Sequence, residues 1–260
     1  MEKVQSADGT VIAFERCGEG PALVLVTGAF NDRTSSRELA GLLGSQFTVY
    51  AFDRRGRGDS DQGGGAYAIE REVEDLAAVL DAAALRAAGA PAAVYGHSSG
   101  ACLAAEAAAQ GVPMRALAVY EPPYGTGASR EFAAELTALA EAGQASEAAE
   151  RFLGITGVPP QALEQMKQAP YWPRMASFAG TLPYDVTLAS RPIPAGLSGA
   201  GFPVVALAGG ASPAWAAAAA ASIGSMAPAA SSRVLPDQTH AVAHDVLVPV
   251  LTEFFQAAPD

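Results

Sequence analysis

The sequence predicts an α/β fold, built as a mostly parallel eight-stranded sheet with helices on both faces and a helical insertion near its middle. Three observations predict it. Short, near-continuous apolar runs recur along the chain, helical patterns separate them, and one long interval carries helical spacing without a strand. Short runs that are apolar on both faces suit parallel strands covered on both sides. Alternation of strand and helix implies right-handed crossovers, and it puts the ligand site beyond the carboxyl ends of the strands.

In chain order, Val4 and the run Val11 to Arg16 flank an Ala-Asp-Gly-Thr turn at 7–10 and read as an opening hairpin, since Asp-Gly is a strong short-turn signal. The runs Ala22–Thr27, Phe47–Phe52, Ala92–Tyr95, Ala116–Tyr120, Pro203–Ala208 and Ser232–Leu235 read as the remaining strands. Helices are expected over Ile69–Ala88, whose apolar residues recur every 3.6 positions, and over Ser99–Gln110, Ala214–Ile223 and His244–Gln256. From 123 to 198 the rhythm breaks: Arg130–Ala142 and Ser146–Leu153 are helical, and prolines and aromatics then crowd the stretch APYWPRMASFAGTLPYD. That interval is expected to be a helical cap inserted after the sixth strand and lying over the carboxyl edge, with 1–122 and 199–260 forming the core. No internal repeat interrupts the pattern.

Composition narrows the function. Half of the 260 residues are hydrophobic and 17% are charged, with alanine supplying much of the apolar content, as packed helices do. A formal charge of −11 repels nucleic acid and anionic membranes, which attract Lys/Arg clusters, so a small molecule is the expected partner. Cys17 and Cys102 are too few and too far apart for a disulfide framework or a zinc site. The amino terminus lacks the basic and then apolar pattern of a secretory signal, and no run of 18 apolar residues is present, so the expected location is cytoplasmic.

The stretch Val94–Glu106, VYGHSSGACLAAE, sets Ser98 between glycines at the join of a strand and a helix. This fits the Gly-x-Ser-x-Gly nucleophile elbow, a sharp turn that lifts the serine above the sheet where only glycine leaves room beside it. Two further stretches stand in the expected order: Val26–Phe30 (VTGAF) after one strand and Asp53–Ser60 (DRRGRGDS) after the next. With these motifs the sequence resembles the serine-type α/β-hydrolase family over nearly its whole length. Asp53–Ser60 is similar to that family's Asp-x-Arg-Gly-x-Gly-x-Ser loop, and VTGAF stands in the place of its His-Gly oxyanion turn, with Thr27 where histidine is common.

The resemblance implies an oxyanion hole from the backbone N–H of Ser99 and that of Ala29, with Phe30 as the other choice for the second donor. Two fixed donors aimed at a developing oxyanion are worth a few kcal/mol in a dry site. The loop at 53–60 is expected to be structural, with Arg54 and Arg57 solvated.

A serine hydroxyl needs a base. Of three histidines, His240 follows the last strand and matches the family's base. His97 adjoins the serine and is expected to point away from it as a structural residue, and His244 opens the final helix. A metal pair of His240 and His244 has no acidic or cysteine partner pattern nearby. The loop Leu207–Trp215, where the family usually carries the acid, contains none. Glu121, at the tip of the strand beside the elbow, is the first choice, with Asp237 and Asp185 as alternatives.

Tyr124, Tyr171, Trp172, Met175, Phe178 and Trp215, with Phe30, are expected to line an apolar pocket. The expected function is cleavage of an ester, thioester or lactone of a small hydrophobic metabolite through an acyl-enzyme on Ser98, without cofactor or metal. Alternatives are a lyase, decarboxylating or cyclising step on the same fold, or a ligand-binding module without turnover. Serine at the elbow disfavours relatives that use aspartate there.

Overall fold

The computed structural model describes residues 1–259. Eight strands, β1 (Glu2–Gln5), β2 (Val11–Cys17), β3 (Ala22–Val26), β4 (Thr48–Phe52), β5 (Ala93–His97), β6 (Leu117–Tyr120), β7 (Val204–Gly209) and β8 (Ala230–Leu235), form one sheet in the order β1-β2-β4-β3-β5-β6-β7-β8. The pairs β1–β2 and β2–β4 are antiparallel and every other pair is parallel. β3, β5, β6 and β7 are buried along nearly their whole length, as their continuous apolar runs require. β8 differs from the expectation: Ser231, Ser232, Arg233 and Val234 are exposed, because it is the last strand in the order and only one neighbour covers it.

Helices α1 (Arg37–Leu43) and α10 (His244–Ala257) cover one face, where Leu39, Leu43, Leu247 and Phe255 pack against Leu23, Tyr95 and Leu207. Helices α2 (Ile69–Arg86), α3 (Ser99–Ala109) and α9 (Ala214–Gly224) cover the other. α3 is buried from Ser99 to Ala108, and its run of alanine and glycine is the reason it fits. Small side chains let a helix buried on all sides approach the sheet and its neighbours closely. The short α1 had no sequence signal: seven residues span two turns, too few for a periodic pattern.

Between β6 and β7 the chain runs through α4 (Arg130–Glu141), α5 (Ala145–Ile155), α6 (Pro160–Lys167), α7 (Trp172–Ala176) and α8 (Leu182–Ala189). This insertion has its own apolar clusters, around Leu136, Leu182 and Val186 and around Leu153, Leu163 and Trp172. It meets the loops that leave the carboxyl ends of β3 and β4: Arg174 pairs with Asp32, and Asp185 with Arg54 and Arg57. Among the described residues, no helix is long and apolar enough to cross a membrane.

Candidate active site

Three loops meet where β3, β5 and β6 end side by side. Ser98 follows β5 with φ 57° and ψ −128°, a left-handed conformation that costs an L-residue on the order of 1–2 kcal/mol. The two flanking glycines are required by contact. A Cβ on Gly96 would stand 2.6 Å from Ala101 Cα, and one on Gly100 would stand 2.3 Å from Val26 O and 2.6 Å from Thr27 O. Gly100→Ala therefore drives the start of α3 into the end of β3. It is expected to destabilise by about 2–3 kcal/mol, read as a drop in the urea midpoint.

Strain gathers at this edge. Of the five non-glycine residues with positive φ among the described residues, Phe30, Ser98, Glu121 and Asp237 follow β3, β5, β6 and β8, and only Ala88 lies elsewhere. Such conformations persist where the surroundings over-determine them, and they cluster at functional sites.

Glu121 follows β6, one rung from the elbow, since Ser98 N–H donates to Tyr120 O at 2.9 Å. Its side chain is fully buried. Oε1 accepts from Gly209 N–H at 2.8 Å, and Oε2 lies 2.7 Å from His240 Nδ1. Burial works to raise this carboxyl, but the His240 ring and the Gly209 amide outweigh it and hold Glu121 below its usual range. The carboxylate beside His240 thus comes from the tip of β6, and β7 contributes an N–H to it.

Asp237 lies on the exposed surface, and Asp185 is committed to two arginines. Ser98 is partly exposed and no hydrogen bond joins its Oγ to His240. Catalytic hydrogen bonds of this kind often stay long until substrate arrives.

Three consecutive carbonyls of the loop bearing His240 are held by donors from β5, β6 and the loop after β7. Ala211 N–H donates to Gln238 O at 2.8 Å, the Tyr120 hydroxyl to Thr239 O at 2.6 Å, and His97 Nε2 lies 2.9 Å from His240 O. A carbonyl only accepts, so Nε2 of His97 carries the proton. The His97 ring stacks on Tyr120 at 5.6 Å and tilts against His240 at 4.8 Å. The ring thus turns toward His240 and its loop. Gly209 makes room for this loop, since a Cβ there would stand 2.3 Å from Gln238 O.

Burial, with the charge of the nearby His240 ring, pushes His97 down to about 4. The folded protein then refuses a proton that the unfolded chain takes up near 6.5. His97 thus favours the folded state fully above about pH 6.5, and this contribution is lost as pH falls toward 4. His97→Gln is expected to flatten stability against pH in that window, measured by urea unfolding at several pH values.

The arginines of the 53–60 loop correct the sequence expectation. Arg54 and Arg57 are not solvated: their side chains are 1% and 0% exposed. Arg54 donates to both Glu72 oxygens at 2.7 and 2.8 Å and to Asp185 Oδ1 at 2.7 Å. Arg57 donates to Asp185 Oδ2 at 2.7 Å and to Gly28 O at 2.7 Å. The Ser99 hydroxyl donates to Asp185 Oδ1 at 2.6 Å. Burial alone would lift the Asp185 carboxyl, yet the Arg57 and Arg54 charges hold it below its usual range. Asp185, weighed from sequence as a triad acid, is the hub of this cluster instead. Charge made solvent the default expectation, and no local pattern links residues this far apart in sequence.

Gly28 packs against the elbow, where an added Cβ would stand 2.7 Å from Ser98 Cβ and 3.2 Å from Oγ. Ala29 follows Gly28 and Ser99 follows Ser98, and neither N–H is used in a hydrogen bond among the described residues.

Of the expected pocket residues, Phe30 packs against the cluster that holds Trp172 and Met175, and stacks edge-on with Phe152 at 5.3 Å. Trp215 lies 6.5 Å from the His240 ring. Phe178 is buried and Tyr171 is exposed. Tyr124 is corrected: it is buried in the core cluster with Cys102 and the alanines of α3, not in an open pocket wall. A cavity of about 260 Å³ opens beside His97 and His240, but toward α1 and α10, with Thr27, Asn31 and His244 on its wall. His244 itself stands 3.6 Å from Glu38, at the first turn of α10.

Known proteins share this fold. A solved α/β hydrolase from Sphaerobacter thermophilus is 44% identical, with a TM-score of 0.87 over 98% of this chain and 100% of its own. The esterase RhEst1 from Rhodococcus sp. ECU1013 shares the fold with a TM-score of 0.74 at 20% identity, over 99% of each chain. N-formylmaleamate deformylase of Pseudomonas putida (strain KT2440) is 34% identical over 124 residues, 46% of this chain and 44% of that protein, so the match spans less than half of that relative. The model of the alpha/beta hydrolase family matches residues 23–248. The chain belongs to the alpha/beta hydrolase family, whose relatives here include an esterase and a deformylase.

Proposed function

We propose that the protein is a serine hydrolase that cleaves an ester, thioester or lactone of a small hydrophobic metabolite through an acyl-enzyme on Ser98. The observation that carries this reading is the buried Glu121 carboxylate, 2.7 Å from His240 Nδ1 on the rung beside Ser98.

With Nδ1–H donated to Glu121, the Nε2 lone pair of His240 is free to take the Ser98 proton. Ser98 Oγ then bonds to the substrate carbonyl carbon, and the carbonyl π electrons move onto oxygen, where the Ala29 and Ser99 N–H groups receive the charge. As the oxyanion collapses, the bond to the leaving group breaks and His240 passes it the proton. Water repeats the sequence on the acyl-serine, giving its proton to His240 and its oxygen to the product acid. The helical insertion acts as a cap, and Phe30, with Trp172 and Met175 behind it, supplies the apolar wall that excludes solvent.

A second substrate reading, hydrolysis of an N-acyl C–N bond, is favoured by the 34% identity to a deformylase. The chemistry is the same except that the leaving group is an amide nitrogen.

A fluorophosphonate probe is expected to add its mass to the Ser98 peptide and to no other serine. Turnover in ¹⁸O water is expected to place one label in the product acid. Labelling that bypasses Ser98, or a product acid without solvent oxygen, overturns the reading.

A further inference from the structure

We propose that Arg57 is a positioning residue for the oxyanion hole, orienting and polarising the Gly28–Ala29 peptide whose N–H faces the developing charge; this rests on the acyl-enzyme reading above. The Gly28 carbonyl and the Ala29 N–H belong to one amide. A cation on the carbonyl withdraws electron density and strengthens the N–H as a donor, as hydrogen bonds in a chain polarise one another.

Arg57 Nη1 donates to Gly28 O at 2.7 Å and to Asn31 O at 3.3 Å. Its other donors are fixed as well, Nη2 on Asp185 Oδ2 at 2.7 Å and Nε on Thr181 Oγ1 at 3.1 Å. The fork therefore has one orientation, and the peptide plane has one with it.

The same carboxylate reaches the other donor. Asp185 Oδ1 accepts from the Ser99 hydroxyl at 2.6 Å and from Arg54 Nη1, which also reaches Thr27 O at 3.3 Å. One α8 carboxylate thus contacts both the Arg57 guanidinium and the Ser99 side chain. The cluster is charge-balanced, with Arg54 and Arg57 against Glu72 and Asp185.

Fold stability is a poor reason to bury four charges, because apolar side chains of like volume commonly serve as well or better. Within the loop pattern, moreover, the motif arginine is Arg55, which pairs with Asp75 and Asp8 away from Gly28. Arg57 stands at an open position of the pattern and is the guanidinium that meets the oxyanion turn.

The test pairs 4-nitrophenyl butyrate with its thiono analogue, in which sulfur replaces the carbonyl oxygen and accepts hydrogen bonds weakly. Arg57→Lys keeps a charge but loses the fork. It is expected to lower kcat for the ester roughly tenfold to a hundredfold, with KM within about twofold and the thionoester rate nearly unchanged.

Arg57→Gln combined with Asp185→Asn removes one charge of each sign, and so keeps the cluster balanced where the single variant misfolds. It is expected to lose the ester-to-thionoester preference, while Asp185→Asn alone keeps it. A proportionate fall on both substrates, a rise confined to KM, or an equal loss of preference in Asp185→Asn overturns the proposal. Turnover of the oxygen ester by the unmodified protein tests the acyl-enzyme reading separately.

Discussion

Replacing Ser98 by alanine is expected to lower kcat by at least ~10³-fold while the fold is retained, because on the acyl-enzyme reading the reaction loses the oxygen that attacks the substrate carbonyl. The fold should hold because the Ser98 hydroxyl has no hydrogen-bond partner among the described residues to lose and its Cβ stays in place against Gly28. A second substitution separates chemistry from strain. At φ 57° the Cβ of Ser or Ala crowds the backbone, whereas glycine adopts this region freely. Ser98→Gly should be as inactive as Ser98→Ala and yet unfold at a higher urea concentration.

This reverses the usual order, since glycine elsewhere destabilises by roughly 0.5–1 kcal/mol relative to alanine. An inactive Gly variant that unfolds before the Ala variant would mean that the elbow is not strained. Retained turnover in either would place the nucleophile elsewhere.

How much of this could be read from the amino acids depends on the range of the signal. The central strands were legible because burial on both faces writes a continuous apolar run into four to six adjacent residues, as in Ala22–Val26 and Val204–Gly209. The elbow was legible for the same reason: the glycines that a Cβ would block stand within two residues of Ser98. The Glu121–His240 contact needed one further step, that neighbouring parallel strands end at one edge, so a carboxylate at the tip of β6 and an imidazole after β8 share it.

Beyond that range the sequence falls silent. Arg54 and Asp185 are 131 positions apart, and nothing local distinguishes a buried charged pair from two solvated residues. Tyr124 carries the same ambiguity for an aromatic, which suits a core as well as a pocket. β8 was overread because Val234 and Leu235 are apolar, although only Leu235 is buried.

Glu121→Gln is expected to lower kcat by ~10³- to 10⁴-fold with KM little changed. The amide can keep the Gly209 N–H bond through its oxygen, but its NH₂ then faces Nδ1 of His240. A donor cannot meet Nδ1–H, so the imidazole must shift its proton to Nε2, the nitrogen required to accept from Ser98. The loss is therefore one of tautomer as well as charge, and raising pH should not restore it.

Glu121→Asp keeps the charge and suits the left-handed backbone at φ 46°, which Asp tolerates better than most residues, so partial activity is expected from it. Asp237→Asn should stay within about twofold of the unmodified rate, since the ring nitrogen it would have to serve is taken by Glu121. If Asp237→Asn is the variant that fails while Glu121→Gln turns over normally, the acid is carried on the base's own loop. The contact at 2.7 Å then contributes only to stability. Its signature would be a carboxylate held below its usual range, stabilising the fold above its unfolded pKa and losing that contribution as pH falls, with no effect on rate.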